Sequence, residues 1–170
     1  MQLLVELKRA RENRKMILFL DVVTERDAMT PSQLIRFVQR QRLGVVSSLA
    51  PDGAPQSAVV GIATSEAGEI VFDTLGTSRK AGNLRRDPRA SLVVWENECT
   101  LQLEGLADEP TGAELNRLLE VYFAAYPDGR ARLAWPGLTH FRIVPAWCRF
   151  SDFAASPEPL IVELELTRGR

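Results

Sequence analysis

Short apolar runs punctuated by tight-turn residues constrain this 170-residue chain more than any other feature. Leu43 to Leu49, Gln56 to Thr64, Glu69 to Thr74, Arg89 to Trp95, Cys99 to Asp108 and Thr139 to Phe153 each read as a strand. Pro51-Asp52-Gly53, Ala67-Gly68 and Asn97-Glu98 supply turns between neighbours, so successive strands pair as hairpins. Leu92-Val93-Val94 reads as buried on both faces, Pro145 interrupts the sixth strand, and Leu160 to Leu166 is a seventh candidate. Helices are few. Thr30-Pro31-Ser32-Gln33 is a capping box with Pro at the first helical position, and Leu34, Ile35, Phe37 and Val38 share one face of a helix running to Arg42. A short helix, Arg79 to Asp87, stops at Pro88. Thr111-Gly112-Ala113-Glu114 is a second capping box, opening a helix through Leu118, Tyr122 and Phe123 to about Ala125. The implied architecture is a mainly β or α+β protein whose six or seven antiparallel strands curl into a barrel.

Composition narrows the function classes. Lys plus Arg is 21 and Asp plus Glu 22, giving a net charge of −1, so no global field recruits nucleic acid or an anionic membrane. Cys99 and Cys148 are too few for a disulfide framework, and reduced thiols in a cytoplasmic protein are the expectation. No run approaches the roughly 18 apolar residues of a membrane helix; Met16-Ile17-Leu18-Phe19-Leu20 breaks at Asp21. Residues 1–28 read as an appendage, with a helix as one reading of it, ahead of a domain over 29–153, with 154–170 as a terminal strand or tail. Neither GxGxxG nor a P-loop is present.

The most informative chemistry lies in Phe72-Asp73-Thr74-Leu75-Gly76-Thr77-Ser78-Arg79-Lys80. A strand ends in hydroxyls and glycine, and a helix then begins with two cations. Free N–H groups and the positive end of the helix favour an anion there. Thr74, Thr77 and Ser78 add donors, Arg79 a bidentate fork and Lys80 a point charge, a set suited to a phosphate monoester. The same residues also suit a plain helix cap beside a solvated cationic face containing Arg85 and Arg86, and Asp73 counts against an anion. His140 is the sole histidine, read as a strand residue with a satisfied hydrogen bond. Trp95, Trp135 and Trp147 read as packing residues.

The order helix, hairpin, Val71-Phe72-Asp73-Thr74-Leu75-Gly76-Thr77-Ser78-Arg79-Lys80, then Asn83-Leu84-Arg85-Arg86-Asp87-Pro88-Arg89, resembles the FMN-binding split barrel of the pyridoxamine 5′-phosphate oxidase-like superfamily. The resemblance spans about Pro31 to Phe153 and implies a six- to seven-stranded antiparallel split barrel with short peripheral helices. It implies a homodimer with FMN, or less readily deazaflavin or haem, at its interface. Asp73 and Thr74 then fall beside the flavin, Ser78, Arg79 and Lys80 at its phosphate, and Thr100 at a ring-contacting strand position. Several departures accompany the likeness. Ala58 replaces the phosphate-gripping Arg of the oxidase, Ala63 a Lys, Asp73 an aromatic residue and Ser151 a flavin-contacting Trp. Ala154-Ala155-Ser156-Pro157 stands where an Arg-x-His substrate motif would follow. The expectation is a flavin-dependent oxidoreductase acting on a small molecule other than pyridoxamine phosphate, without an assignable acid or base. A non-catalytic flavin or haem module of the same fold is the alternative.

Overall fold

The computed structural model describes residues 30–166. The appendage expected over residues 1–28 lies outside them. Helix α1 (Pro31–Arg40) leads into β1 (Leu43–Leu49), β2 (Pro55–Thr64) and β3 (Ile70–Leu75). Helix α2 (Arg79–Arg86) precedes β4 (Arg89–Glu96) and β5 (Cys99–Asp108). Helices α3 (Gly112–Ala125) and α4 (Gly129–Arg132) then lead to β6 (Leu138–Asp152) and β7 (Leu160–Glu165).

The strand order is β3-β2-β1-β4-β5-β6-β7, every pairing antiparallel, and β3 also pairs with β6. The fifteen-residue β6 makes this closure possible. Its first part, Leu138 to Ile143, pairs with β3 and shuts the barrel, while Trp147 to Asp152 pairs with β7. Between the two, the β5–β6 register shifts at Glu104/Gly105, opposite Pro145. Pro145 lacks a ladder N–H, and a Cβ on Gly105 would fall 2.1 Å from the Val144 carbonyl oxygen, so the strand bends where both residues permit it. The result is an antiparallel split barrel with short helices outside.

Alternation of side chains sorts the strands into an inner and an outer face. Val46, Ile62, Phe72, Leu92, Leu101, Phe141 and Ile143 fill the interior, none more than 1 % exposed. Phe72 stacks on Phe141 at 5.8 Å, and burying each ring contributes roughly 1.5–3 kcal/mol. Helix α1 closes one end with Leu34, Phe37 and Val38; Phe37 meets Phe150 edge-on. Helix α3 packs on the outside of β2 and β3, joining Leu118, Tyr122 and Phe123 to Ala63 and Val71.

Some local expectations are corrected. Val93 is only half-buried between buried Leu92 and Val94, because its strand has one face inward and one outward. The Thr111 hydroxyl makes no cap hydrogen bond to α3; Glu114 instead accepts from Arg117 and Arg142. Helix α1 ends at Arg40, and Trp95 and Trp135 are about half exposed, so neither packs in the core.

Candidate functional site

The β3–α2 turn builds its own geometry. Gly76 donates to the Gly137 carbonyl at 2.7 Å and accepts from Arg85 Nη1 at 2.6 Å. A Cβ there would meet the Arg85 guanidinium at 3.2 Å and the Gly137 oxygen at 3.3 Å, so glycine fits this crossing best. Arg85 is held in turn by a bidentate pair with Glu109, both contacts 2.7 Å, and the Thr139 hydroxyl also donates to Glu109. The Arg85 hydrogen bonds hold the Glu109 carboxyl below its ordinary range despite partial burial, so the brace stays charged at neutral pH.

Within that frame Ser78 is the N-cap of α2, its hydroxyl accepting from the Ala81 N–H at 3.3 Å. Thr74, 8 % exposed, places Oγ1 3.1 Å from Ser78 Oγ, and Lys80 Nζ donates to the same Thr74 oxygen at 3.0 Å. Thr74, Ser78 and Lys80 therefore form one cluster at the helix start. Arg79 sits beside them, exposed, and forms no ion pair with a described residue. Its neighbours differ. Arg85 belongs to Glu109, Arg86 donates to the Leu49 carbonyl and to Asn83, and Arg89 pairs with Asp87. The cationic run is thus divided between braces and two side chains, Arg79 and Lys80, that form no ion pair with a described residue.

Asp73 takes the opposite face. Adjacent strand residues point to opposite sides, and the Asp73 carboxylate meets Arg132 of α4 at 3.1 Å, away from the hydroxyl cluster. Asp73 therefore does not join the cluster of Thr74, Ser78 and Lys80. Arg132 also donates to the Tyr122 hydroxyl at 3.3 Å, and Tyr122 meets His140 edge-on at 5.4 Å. His140 pairs with Asp73 across β3 and β6 and is 6 % exposed. Its Nε2 is buried without a partner, contrary to the satisfied hydrogen bond expected. Burial lowers its pKa, opposed by Asp73 and reinforced by Arg132, so it is neutral at pH 7.

Thr100 lies elsewhere. It pairs with Ser151 near the end of β6, whereas Thr74 pairs with Thr139 near the beginning, twelve residues away (151 − 139). One chain does not bring Thr100 to the β3–α2 turn. Residue patterns had singled out neither Asn83 nor Glu109. Asn83, 4 % exposed, donates to Ser48 at 3.1 Å and to Gln56 at 2.9 Å, tying α2 to β1 and β2. A polar residue beside Leu84 on the buried side of a short helix was the available signal. The Glu109 partnership spans 24 residues and left none.

The described residues contain no helix long and apolar enough to cross a membrane and no cluster of metal-ligating side chains.

Barrel and site together define an antiparallel split barrel with hydroxyl and cationic side chains gathered at one strand–helix turn. Residues 31–152 match the family model for pyridoxamine 5′-phosphate oxidase, and the chain belongs to that family. No curated protein matches the sequence. Among solved structures, a haem binding protein from Mycobacterium smegmatis superposes with a TM-score of 0.69 at 17 % identity. That match covers 81 % of this chain and 60 % of the other, so this chain spans less than two thirds of that protein. A conserved hypothetical protein from Mycobacterium tuberculosis is 26 % identical, with a TM-score of 0.64 over 75 % of this chain and 87 % of that one. A pyridoxamine 5′-phosphate oxidase-related, FMN binding protein from Nostoc punctiforme shares 11 % identity and a TM-score of 0.59, covering 83 % of this chain and all of its own.

Proposed function

We propose that this protein binds FMN through the β3–α2 turn and serves as a flavin-dependent oxidoreductase for a small molecule. The carrying observation is the cluster of Thr74, Ser78 and Lys80 beside exposed Arg79, which forms no ion pair with a described residue. Ser78 pins the helix start, leaving amide groups of the first turn to face a phosphate. Lys80 would shift its hydrogen bonds from Thr74 to a phosphate oxygen, and Arg79 would supply a fork from solvent. With Ala58 in place of a third cation, the grip rests on these two. Bound flavin would supply hydride transfer at its ring; the chain's task is to hold the phosphate and keep water from one side. The match of residues 31–152 to the family and the FMN-binding relative from Nostoc punctiforme support this reading. Haem-binding relatives share the fold, but the sole histidine here is buried beneath Tyr122 and offers iron no accessible imidazole.

The partner in this reading is a second copy. On the outward sheet face, Val59, Val45 and Val93 stand in register, flanked by Leu43 and Trp95. Val59 is 62 % exposed, Leu43 55 % and Trp95 49 %, an apolar stripe suited to burial against its own equivalent. Thr100, directly opposite Trp95, lies on that face, so dimerisation is what would carry it toward the other chain's flavin.

The test is an absorption spectrum of purified protein and an FMN titration, followed by anaerobic addition of NADH or NADPH. Tight FMN binding with bleaching of the flavin band supports the oxidoreductase; tight binding without reduction supports a carrier. Absence of FMN binding at micromolar protein refutes both.

A further inference from the structure

At the end of β3 remote from Thr74, α1 flanks a half-open cavity of about 620 Å³. Ile70 marks this end, four residues from Thr74, or about 13 Å along an extended strand. Its walls come from Leu34 and Val38 of α1, Ile70, Leu101 and Leu103 of β5, and Cys148 of β6. None of these six exceeds 5 % exposure. The volume falls within the range of small-molecule sites, and the lining is of the apolar kind such sites use.

One wall is not apolar. Thr64 is 8 % exposed and lines the cavity, yet its hydroxyl has no hydrogen-bond partner. A buried orphan hydroxyl costs stability unless something satisfies it, and Thr64 belongs to the lining of a space large enough to hold a partner.

The rim sets the charge of the occupant. Glu69, Glu114 and Glu165 stand there, and among the described residues of the lining Arg142 is the one cation. Arg142 is consumed by Glu69 at 2.9 Å, Glu114 at 2.6 Å and Asp108 at 2.5 Å. Arg117 is likewise shared between Glu69 and Glu114. Burial raises the Glu69 carboxyl, but hydrogen bonds from Arg117, Ser65 and Arg142 outweigh it, so the rim stays acidic at neutral pH. A fatty acid or phosphate head would meet carboxylates, with no cation to spare among the described residues of the rim.

We propose that this cavity binds a neutral or cationic apolar small molecule carrying a hydrogen-bonding group, at a site separate from the flavin phosphate turn. It depends on none of the residues assigned to FMN. The occupant satisfies Thr64 with its polar group and places its apolar body against α1 and β5.

The experiment titrates the full chain with 1-aminoanthracene, a neutral aromatic amine, and separately with anionic 1-anilinonaphthalene-8-sulfonate, reading fluorescence with and without saturating FMN. The expected result is saturable one-to-one binding of the amine, at least tenfold tighter than the sulfonate and unchanged by FMN. Ile35→Trp and Val144→Phe fill the cavity from two half-buried positions on its lining, and each reduces amine affinity at least tenfold. Thr64→Val, nearly isosteric, weakens it several-fold, whereas Arg79→Ala/Lys80→Ala leaves it unchanged. Lack of a saturable signal, full affinity in a folded filling variant, equal preference for the anion or displacement by FMN would each overturn the proposal. Amine binding that persists in a protein unable to bind FMN supports the cavity while refuting the flavin reading alone.

Discussion

Asp73 and Thr74 are neighbours in sequence and opposites in role. Thr74 turns toward Ser78 and Lys80 at the start of α2, forming a polar corner with exposed Arg79 beside it. Asp73 turns the other way, into a packed face where Arg132, Tyr122 and His140 surround it. The first region keeps cations available; the second consumes its cation internally. A single-residue step along a strand thus separates the proposed binding surface from a structural network, and a composition count over the segment would merge them.

Substitutions in the two regions should have separable effects. The largest is expected for Arg79→Ala/Lys80→Ala. Two charge-assisted contacts worth roughly 1.5–3 kcal/mol each should vanish, weakening FMN by at least about a hundredfold with little change in melting temperature. Flavin fluorescence quenching measures this, and a retained affinity would break the comparison. Arg132→Ala reverses the pattern. It leaves Asp73, whose side chain is only 18 % exposed, without its cation and should cost about 1–3 kcal/mol in urea denaturation while FMN affinity moves less than about threefold. Ser78→Ala should remove the α2 cap, lowering stability by about 1 kcal/mol and FMN affinity modestly, since both depend on the same hydroxyl.

The smallest effect concerns pH. His140 has a folded pKa below its unfolded 6.5, so the unfolded chain binds more protons as pH falls through that value. Stability is therefore full above about pH 6.5 and declines as pH drops below it. His140→Phe should flatten the stability profile between pH 7 and 5.5, by under about 1 kcal/mol. An unchanged slope would show that His140 is not the group responsible.

Much of this fold is legible locally. β1 and β5 occupy the spans that their alternation and flanking turns predict, Leu43–Leu49 and Cys99–Asp108. The Asn97 turn is plain because Asn tolerates the left-handed φ of 52° found there. Helix α4 is not legible: four residues carry no periodicity, and Gly129 sits where a Cβ would press on Phe123 at 3.1 Å. The site divides in the same way. Ser78 as a cap follows from local rules, whereas Arg85–Glu109 and Asp73–Arg132 link residues 24 and 59 apart, brought together by the pairing of β4 with β5 and of β3 with β6 respectively. Thr100 shows the converse. Its resemblance to a flavin-contacting position is local, but its pairing with Ser151 sets it far along β6 from Thr74.

The central claim is that the turn recognises a phosphate. Comparing FMN with riboflavin, which lacks that group, tests it most directly by equilibrium titration of wild type and of Arg79→Ala/Lys80→Ala. Wild type should prefer FMN by at least about a hundredfold, and the double variant should bind both ligands equally weakly. Equal affinity of wild type for FMN and riboflavin would contradict the account.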